Sequence, residues 1–241
     1  MREVIAGDEK ILRAYGLEAS GCSLPAEQVG GDFSEFISCD ERTVFAVIGD
    51  VMGKGFHAAR LMETIRQMLR ECVRINPHPL EVVRRLNKVG GYELRKCGAF
   101  ATLCLLCYDG IAGRLTCVNA GHYPPLLLSE GKVKVARCRG VALGLLEDYL
   151  GSGAEEFFLA AGDAVVLYTD GLVEASGPGE QRYGQERLKE IVRLQYGADA
   201  DRMKQNILSD QKTFTRSFSQ KDDVTLVVMK VTGKAGERGG D

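Results

Sequence analysis

Long apolar runs and an excess of positive charge are both missing from this sequence. Lys and Arg number 31 against 33 Asp and Glu, a formal net charge of −2. Without a basic block, neither nucleic acid nor an anionic membrane surface is an expected partner. Apolar runs such as residues 164–168 are far shorter than the roughly 20 residues that a membrane-spanning helix needs. The N-terminus has no apolar signal core, so we expect a cytoplasmic protein.

Histidine is also scarce, and no serine-hydrolase motif is present. The three histidines are not spaced as metal-binding pairs. His57 and His122 remain candidates for acid–base chemistry. His122 follows a strand-like run, in a turn where a structural role is the more frequent one. The absence of a Gly-x-Ser-x-Gly motif removes support for a nucleophilic serine.

The eight cysteines are scattered along the chain. Without a secretion signal, we expect them to be reduced thiols. Cys104 and Cys107 have the spacing of zinc ligands, but no second pair accompanies them. They also lie in a strand-like stretch, where residues three apart face opposite sides. We interpret the cysteines as small core residues.

The order of predicted elements favours an antiparallel α+β domain. Strand-like segments lie at residues 12–19, 32–38, 43–48, 99–108, 114–119, 126–128, 132–136, 156–159, 164–168 and 224–231. Helical periodicity covers residues 56–75, 79–96, 185–195 and 201–213. Strands and helices do not alternate as in βαβ folds. We predict one domain at residues 11–232, an extension at 1–10 and a disordered tail at 233–241.

Four aspartates stand beside glycines or turns at the ends of apolar, strand-like runs. They are Asp32, Asp50, Asp170 and Asp222. A single aspartate beside glycine is most often a turn residue. Four at the ends of buried strands would be held in fixed positions. Crowded carboxylates raise each other's pKa and destabilise a fold, which bound Mg²⁺ or Mn²⁺ would relieve.

Such a cluster favours phosphate chemistry. Two divalent ions about 3.5–4 Å apart can share a hydroxide and clamp a phosphoryl group. Two other phosphate-related motifs do not fit. The segment from Gly49 to Gly55 has three residues between its first two glycines, and Lys54 is followed by glycine, so it is not a Walker A loop. The Gly30-Gly31-Asp32-Phe33 run lacks the second acidic residue of a diguanylate cyclase signature.

Five motifs in order resemble those of protein phosphatase 2C-type (PPM) Ser/Thr phosphatases of the bacterial SpoIIE/RsbU-like branch. The motifs are Val29–Phe33, Gly49–Gly55, Asn119–His122, Tyr168–Ala175 and Asp222–Thr225. Together they span roughly residues 10–231. The resemblance implies an αββα sandwich, two antiparallel sheets flanked by helix pairs. It also implies a centre of two Mn²⁺ or Mg²⁺ ions between the sheets.

The resemblance assigns roles to individual residues. Asp50 would bridge both metals, and Val51 would contribute its backbone carbonyl. Asp32 would bind one metal or its waters. Asp170 and Asp222 would complete the other side. A metal-bridging hydroxide would attack phosphorus.

Asp223 and Gly171 rank second as site residues. Phe33, Ser34, Glu35 and Met52 depart from the commoner family residues without removing a ligand. The Arg that eukaryotic members place near the phosphate has no counterpart that can be assigned here. We therefore expect metals and backbone to hold the substrate phosphate.

The branch implies a substrate and a form of control. Its members usually dephosphorylate phosphoserine or phosphothreonine on a small STAS-type anti-anti-sigma protein, in stress or sporulation signalling. Many carry an N-terminal sensor domain. None is recognised here, so the input would come from a partner, a trimmed region or the expression level. The predicted helices from Phe56 to Ile75 and from Pro79 to Lys96 would be the regulatory element, on which an activating partner would reposition Asp50.

Two other functions stay open from the sequence. One is a catalytically silent phosphatase-like binding module in the same signalling system. Retention of all four aspartates argues against it, because pseudoenzymes usually lose ligands. The other is a metal-dependent phosphoesterase that acts on small molecules.

Overall fold

Two antiparallel sheets and two outer helix pairs form the chain's architecture. The computed structural model describes residues 2–3, 9–216 and 218–233, and every structural statement below concerns these residues. All strand neighbours in both sheets are antiparallel. The predicted αββα sandwich is therefore confirmed. No helix in these ranges is long and apolar enough to cross a membrane.

The first sheet has five strands in the order β3-β4-β5-β6-β9. Their bounds are β3 Asp32–Ser38, β4 Thr43–Val51, β5 Ala101–Asp109, β6 Arg114–Ala120 and β9 Glu155–Phe158. Two helices cover its outer face, α2 at Gly55–Ile75 and α3 at Pro79–Lys96. Proline at the start of α3 suits a first helical turn, whose N–H groups have no helical acceptor.

The second sheet has six strands in the order β1-β2-β11-β10-β7-β8. Their bounds are β1 Arg2–Glu3, β2 Leu17–Leu24, β7 Leu126–Ser129, β8 Lys132–Val135, β10 Ala164–Tyr168 and β11 Val224–Val231. Helices α5 (Gln185–Leu194) and α6 (Ala200–Thr215) cover its outer face. The remaining helices are α1 at Glu9–Ala14, the short α4 at Asp170–Val173, and a 3₁₀ turn at Pro178–Glu180.

Alternation along the strands divides the apolar residues among three cores. In β4, Val44, Ala46 and Ile48 face the core between the sheets. Phe45 and Val47 face α2 and α3. This period of two follows from the pleat, which points successive side chains to opposite faces. Burial on both faces fixes the register of the strand, and with it the position of the residues that follow Ile48.

The N-terminal elements differ from the sequence prediction. Residues 12–19 are not one strand: α1 ends at Ala14 and β2 begins at Leu17. The turn between them uses Gly16 at a φ of 71°, a conformation that favours glycine. The predicted extension includes β1 and the start of α1, while residues 1 and 4–8 lie outside the described ranges. Of the predicted tail, only Gly233 lies within them.

The cysteines are all free thiols. Cys104 packs between the sheets and Cys107 on the opposite, helix-facing side, so the pair is not arranged for one zinc ion. Cys97 is an exception to the predicted burial, because it is exposed at the end of α3.

Candidate metal centre

Adjacent strands of the five-stranded sheet place Asp32 and Asp50 side by side. Asp32 is the first residue of β3, and its register partner in β4 is Asp50. Directly opposed residues in an antiparallel pair point to the same face, with Cβ atoms about 4.5–5.5 Å apart. Asp50 was expected at the end of its strand, but β4 continues through Val51. The two carboxylates therefore stand on ordered strand backbone.

The six-stranded sheet brings Asp170 and Asp222 to the same end of the sandwich. Asp170 is the first residue of α4, directly after β10, and Asp222 precedes β11 by two residues. The two strands are neighbours, and the Thr169 amide donates to the Thr225 carbonyl at 3.0 Å. The Thr169 hydroxyl also donates to Oδ2 of Asp32 at 2.8 Å, which connects the two sheets at the site.

The carboxylates are close enough to perturb one another. Burial raises the pKa of Asp32 to about 8, with a further contribution from the charge of Asp50. Burial also raises the pKa of Asp50 to about 7, helped by the charges of Asp170 and Asp222. The pKa of Asp170 is raised by burial and then by Asp222. The four aspartates thus form one electrostatic cluster built from both sheets.

Two glycines before Asp32 allow the backbone and Asp223 to approach. A side chain on Gly30 would collide with the Asp223 carboxylate. One on Gly31 would collide with the Val51 carbonyl and lie 3.4 Å from Oδ1 of Asp50. The Gly-Gly-Asp run therefore brings the Val51 carbonyl and the Asp50 carboxylate to one place. The assignment of these two groups as metal ligands stays a prediction.

Asp223 lies at the site but uses both carboxylate oxygens on the backbone. Oδ1 accepts from the Ala26 amide at 2.8 Å, and Oδ2 accepts from the Gly31 amide at 2.9 Å. Asp223 is buried. Its carboxylate therefore holds the loop that leads into Asp32. Gly171 has a related role, because a side chain there would collide with the Asp223 carbonyl.

Lys54 is the site residue that the sequence reasoning missed. Its ammonium lies 3.1 Å from Oδ1 of Asp222 and also donates to the Lys221 carbonyl. Its charge lowers the pKa of both Asp50 and Asp170, against the larger effects that raise them. The available signal was its place between two glycines, four residues after Asp50. Gly53 and Gly55 have φ values of 108° and 69°, which let the chain turn sharply there.

His122 stands behind the cluster. Its Nδ1 is 2.7 Å from the Thr102 hydroxyl, and Thr102 is the β5 register partner of Asp50. Its Nε2 is buried without a hydrogen-bond partner among the described residues. Burial lowers its pKa to about 4, which keeps the imidazole neutral. Asn119 accepts from the His122 amide and donates to its carbonyl, so this motif forms a tight turn that supports β5.

The donor set suits a hard cation. Within the described ranges, no three His, Cys, Asp or Glu side chains already surround one point as ligands of an ion would. The cluster nevertheless offers only oxygen: four carboxylates and the Val51 carbonyl. Mg²⁺ and Mn²⁺ retain several waters and accept carbonyl ligands, so each needs only a few protein oxygens. The raised pKa values of Asp32 and Asp50 are what uncompensated carboxylates show.

This architecture is that of a PP2C phosphatase domain. The SiaA-PP2C domain of Pseudomonas aeruginosa superposes with a TM-score of 0.80 at 18% identity, over 93% of this chain and 89% of that one. The RsbU and RsbW domains of Rv1364c from Mycobacterium tuberculosis superpose with a TM-score of 0.76 at 26% identity, over 91% of this chain and 61% of that one.

Comparison of the amino-acid sequence with known families identifies the family within this class. The family model described as stage II sporulation protein E (SpoIIE) matches residues 40–232, and the chain belongs to this family. Phosphoserine phosphatase RsbU of Bacillus subtilis (strain 168) is 28% identical over 225 residues, which cover 92% of this chain. The match covers 65% of RsbU, so the chain spans less than two thirds of that relative's length.

Proposed function

We propose that this protein is a metal-dependent phosphoprotein phosphatase that hydrolyses phosphoserine or phosphothreonine. One observation carries the proposal: aspartates from two sheets meet in a cluster where burial, and then their mutual repulsion, raises their pKa values. Such repulsion destabilises the folded state unless cations bind there. Membership of the SpoIIE family and similarity to a phosphoserine phosphatase support the same activity.

The proposed activity assigns a separate role to each residue of the site. Asp32, Asp50, Asp170, Asp222 and the Val51 carbonyl would hold two Mn²⁺ or Mg²⁺ ions. When bound, these ions supply the attacking hydroxide and neutralise charge on the phosphoryl group. Lys54, whose ammonium already lies in the cluster, would donate to a phosphate oxygen. Lys54 would thus take the role of the phosphate-binding Arg of eukaryotic members, for which no counterpart could be assigned. Neutral His122 would hold the Thr102 side chain of β5 and move no proton.

A phosphorylated STAS-type anti-anti-sigma protein is the proposed substrate, met in the cytoplasm by the domain at residues 11–232. RsbU is itself named a phosphoserine phosphatase. The Rv1364c structure carries an RsbU domain and an RsbW domain together. Both similarities favour signalling through protein phosphorylation over hydrolysis of small phosphoesters.

Phosphate release from a phosphoserine STAS-type protein tests the activity. We expect release with Mn²⁺ and none with chelator. Failure to release phosphate from any phosphoprotein or phosphopeptide with Mn²⁺ would favour the silent binding module. Release from small phosphoesters alone would favour the general phosphoesterase.

Control of the activity is proposed to act through α2 and α3. Helix α2 begins four residues after Val51 and is tied to β3 by ion pairs from Arg66 and Arg70 to Glu35. Met52 and Phe56, just beyond Asp50, are exposed apolar side chains. A partner that covers them would reposition Asp50 and Val51. If substitutions on the exposed faces of both helices left partner-stimulated turnover unchanged, this regulation would be wrong.

A further inference from the structure

A cleft of about 700 Å³ opens beside the candidate metal centre. Asp222 and Gly171 lie among its lining residues, so the cleft is continuous with the aspartate cluster. Its other walls come from the end of β2, the segment after α4, the C-terminal half of α6 and the segment after α6. Its volume falls in the range of protein ligand sites, about 300–1,000 Å³. We call this cleft the basic groove.

The acidic residues that line the basic groove are already neutralised. Glu174 pairs with Arg182 at 2.8 Å, and Asp222 pairs with Lys54 at 3.1 Å. The remaining charged side chains of the lining are all cations. They are Lys212, Arg216 and Lys221. None of the three has a carboxylate partner among the described residues. The groove therefore carries uncompensated positive charge, although the whole chain is slightly negative.

Ion pairs between residues three apart are frequent on the helices, although Arg85 and Lys88 of α3 also have no carboxylate partner among the described residues. Helices α2, α3 and α5 and the start of α6 carry seven ion pairs between residues three apart. Lys212 has only Ser209 and Thr215 at that spacing. A cation at a helix C-terminus also interacts favourably with the helix dipole, which explains part of the placement of Lys212 and Arg216. That interaction does not explain Lys221, which lies outside any helix.

The wall beyond α6 is anchored and carries an apolar side chain. The side-chain Nε2 of Gln220 donates to the Leu24 carbonyl at 2.6 Å and to the Asp222 carbonyl at 2.7 Å. This holds the segment against β2. Phe218 is 50% exposed and lines the same groove. An extended peptide would find there an apolar contact and positive charges, in line with the proposed site of phosphate release.

We infer that the basic groove binds the polypeptide segment next to the phosphoserine of the substrate, and that this segment carries acidic residues. The inference rests on the proposed function, since it assigns the substrate specificity of the same site. Complementary charge favours the correct partner and speeds its encounter more than it strengthens binding. The groove thus selects among phosphoproteins, while the metal centre treats every phosphoserine alike.

Two synthetic phosphoserine peptides test this. They differ only in whether the flanking residues are aspartate or asparagine. With Mn²⁺, we expect kcat/KM to be about tenfold higher for the acidic peptide, and this preference to weaken as ionic strength rises. Lys212→Glu and Lys221→Glu, made separately, should each remove most of the preference. Lys132→Glu makes the same charge change on exposed β8 and should keep it.

The outcomes separate this inference from the proposed function. If wild-type protein with Mn²⁺ hydrolyses neither peptide, whether or not it hydrolyses an aryl phosphate, the proposed function is wrong. If it hydrolyses both peptides at equal kcat/KM, the enzyme stands and the groove assignment is wrong. Equal loss of preference in Lys132→Glu would also overturn the assignment, because the effect would then come from net charge. Circular dichroism of each variant checks that the fold is kept.

Discussion

The two halves of the aspartate cluster come from different sheets and differ in burial and in counter-ions. Asp32 and Asp50, the inner pair, lie on strands of the five-stranded sheet, and burial is the largest cause of their raised pKa values. Asp170 and Asp222, the outer pair, lie beside strands of the six-stranded sheet. The Asp222 side chain is 53% exposed and already has Lys54 as a counter-ion.

The difference shows that crowding of charge is only part of what makes a cation site. Carboxylates in water tolerate each other because solvent screens them. The inner pair has lost most of that solvent and has no cation of its own. We therefore expect the inner pair to dominate metal binding and turnover, and the outer pair to adjust them.

The largest expected effect is that of Asp50→Asn. Removing the charge from the residue proposed to bridge both metals should lower kcat/KM for a phosphopeptide by at least about a thousandfold. Circular dichroism should show an intact fold, because asparagine has the same shape and no charge to repel Asp32. The matched control is Asp148→Asn, an exposed residue away from the cluster, which should keep full turnover. A residual Asp50→Asn rate within tenfold of wild type would show that Asp50 is not the bridge.

Asp223→Ala tests the connection between the halves. It leaves the Ala26 and Gly31 amides without their acceptor. An unsatisfied buried donor costs about 1–3 kcal/mol, so urea unfolding should show a loss of that order. Asp223→Asn keeps one acceptor oxygen and should lose less. Equal stability of the alanine variant and wild type would contradict the anchoring role.

The metal-free protein should lose stability as pH rises. Unfolded Asp carboxyls release their protons near the ordinary value of 3.8, while folded Asp32 and Asp50 keep theirs until about 8 and about 7. Between these values the folded state binds more protons, so the free energy of unfolding falls with increasing pH. A domain of this size shifts its Tm by about 2–4 °C per kcal/mol.

Thermal unfolding with chelator across this pH window measures the slope. Asp32→Asn should flatten it, because asparagine does not titrate. Added Mn²⁺ should stabilise wild type more at the alkaline end, where protons no longer compete. A melting temperature that rises with pH in chelator, equally in both proteins, would contradict the assignment of the raised pKa values.

The smallest expected effect is that of Lys54→Ala on the outer pair. Exposed ion pairs contribute about 0.2–1 kcal/mol. Losing the ammonium that competes for Asp222 should therefore raise Mn²⁺ affinity by no more than about fivefold. Titration calorimetry of the metal-free protein measures this directly. The same variant should raise KM for a phosphopeptide, because Lys54 would no longer hold the phosphate. Lower Mn²⁺ affinity in Lys54→Ala would show that the lysine organises the site instead of competing for it.

Much of the fold was readable from local pattern. Continuous apolar runs predicted β4, β5 and β10 within a few residues, since strands buried on both faces tolerate few polar side chains. The three- and four-residue spacing predicted α2 and α3. The N-terminal boundary failed because two buried residues, Leu12 on α1 and Tyr15 in the turn after it, fit a strand pattern equally well. Over only a few residues, the helical period of 3.6 and the strand period of 2 can select the same apolar residues.

By itself, the sequence determined most of the strand and helix order and which four aspartates to follow, because these depend on residues that are near each other in the chain. Only the tertiary structure decided what each carboxylate does. The hydrogen bond from Thr169 to Asp32 joins residues 137 positions apart in the chain, and the hydrogen bond from Gly31 to Asp223 joins residues 192 positions apart. The contact of Lys54 with Asp222 also joins residues far apart in the chain. The position of the unpaired cations of the basic groove beside that contact likewise depends on the tertiary structure. Burial and partner choice are properties of the packed sheets, and these properties make Asp32 and Asp50 carboxylates in need of a cation, Asp223 an anchor and Asp222 an exposed ion pair.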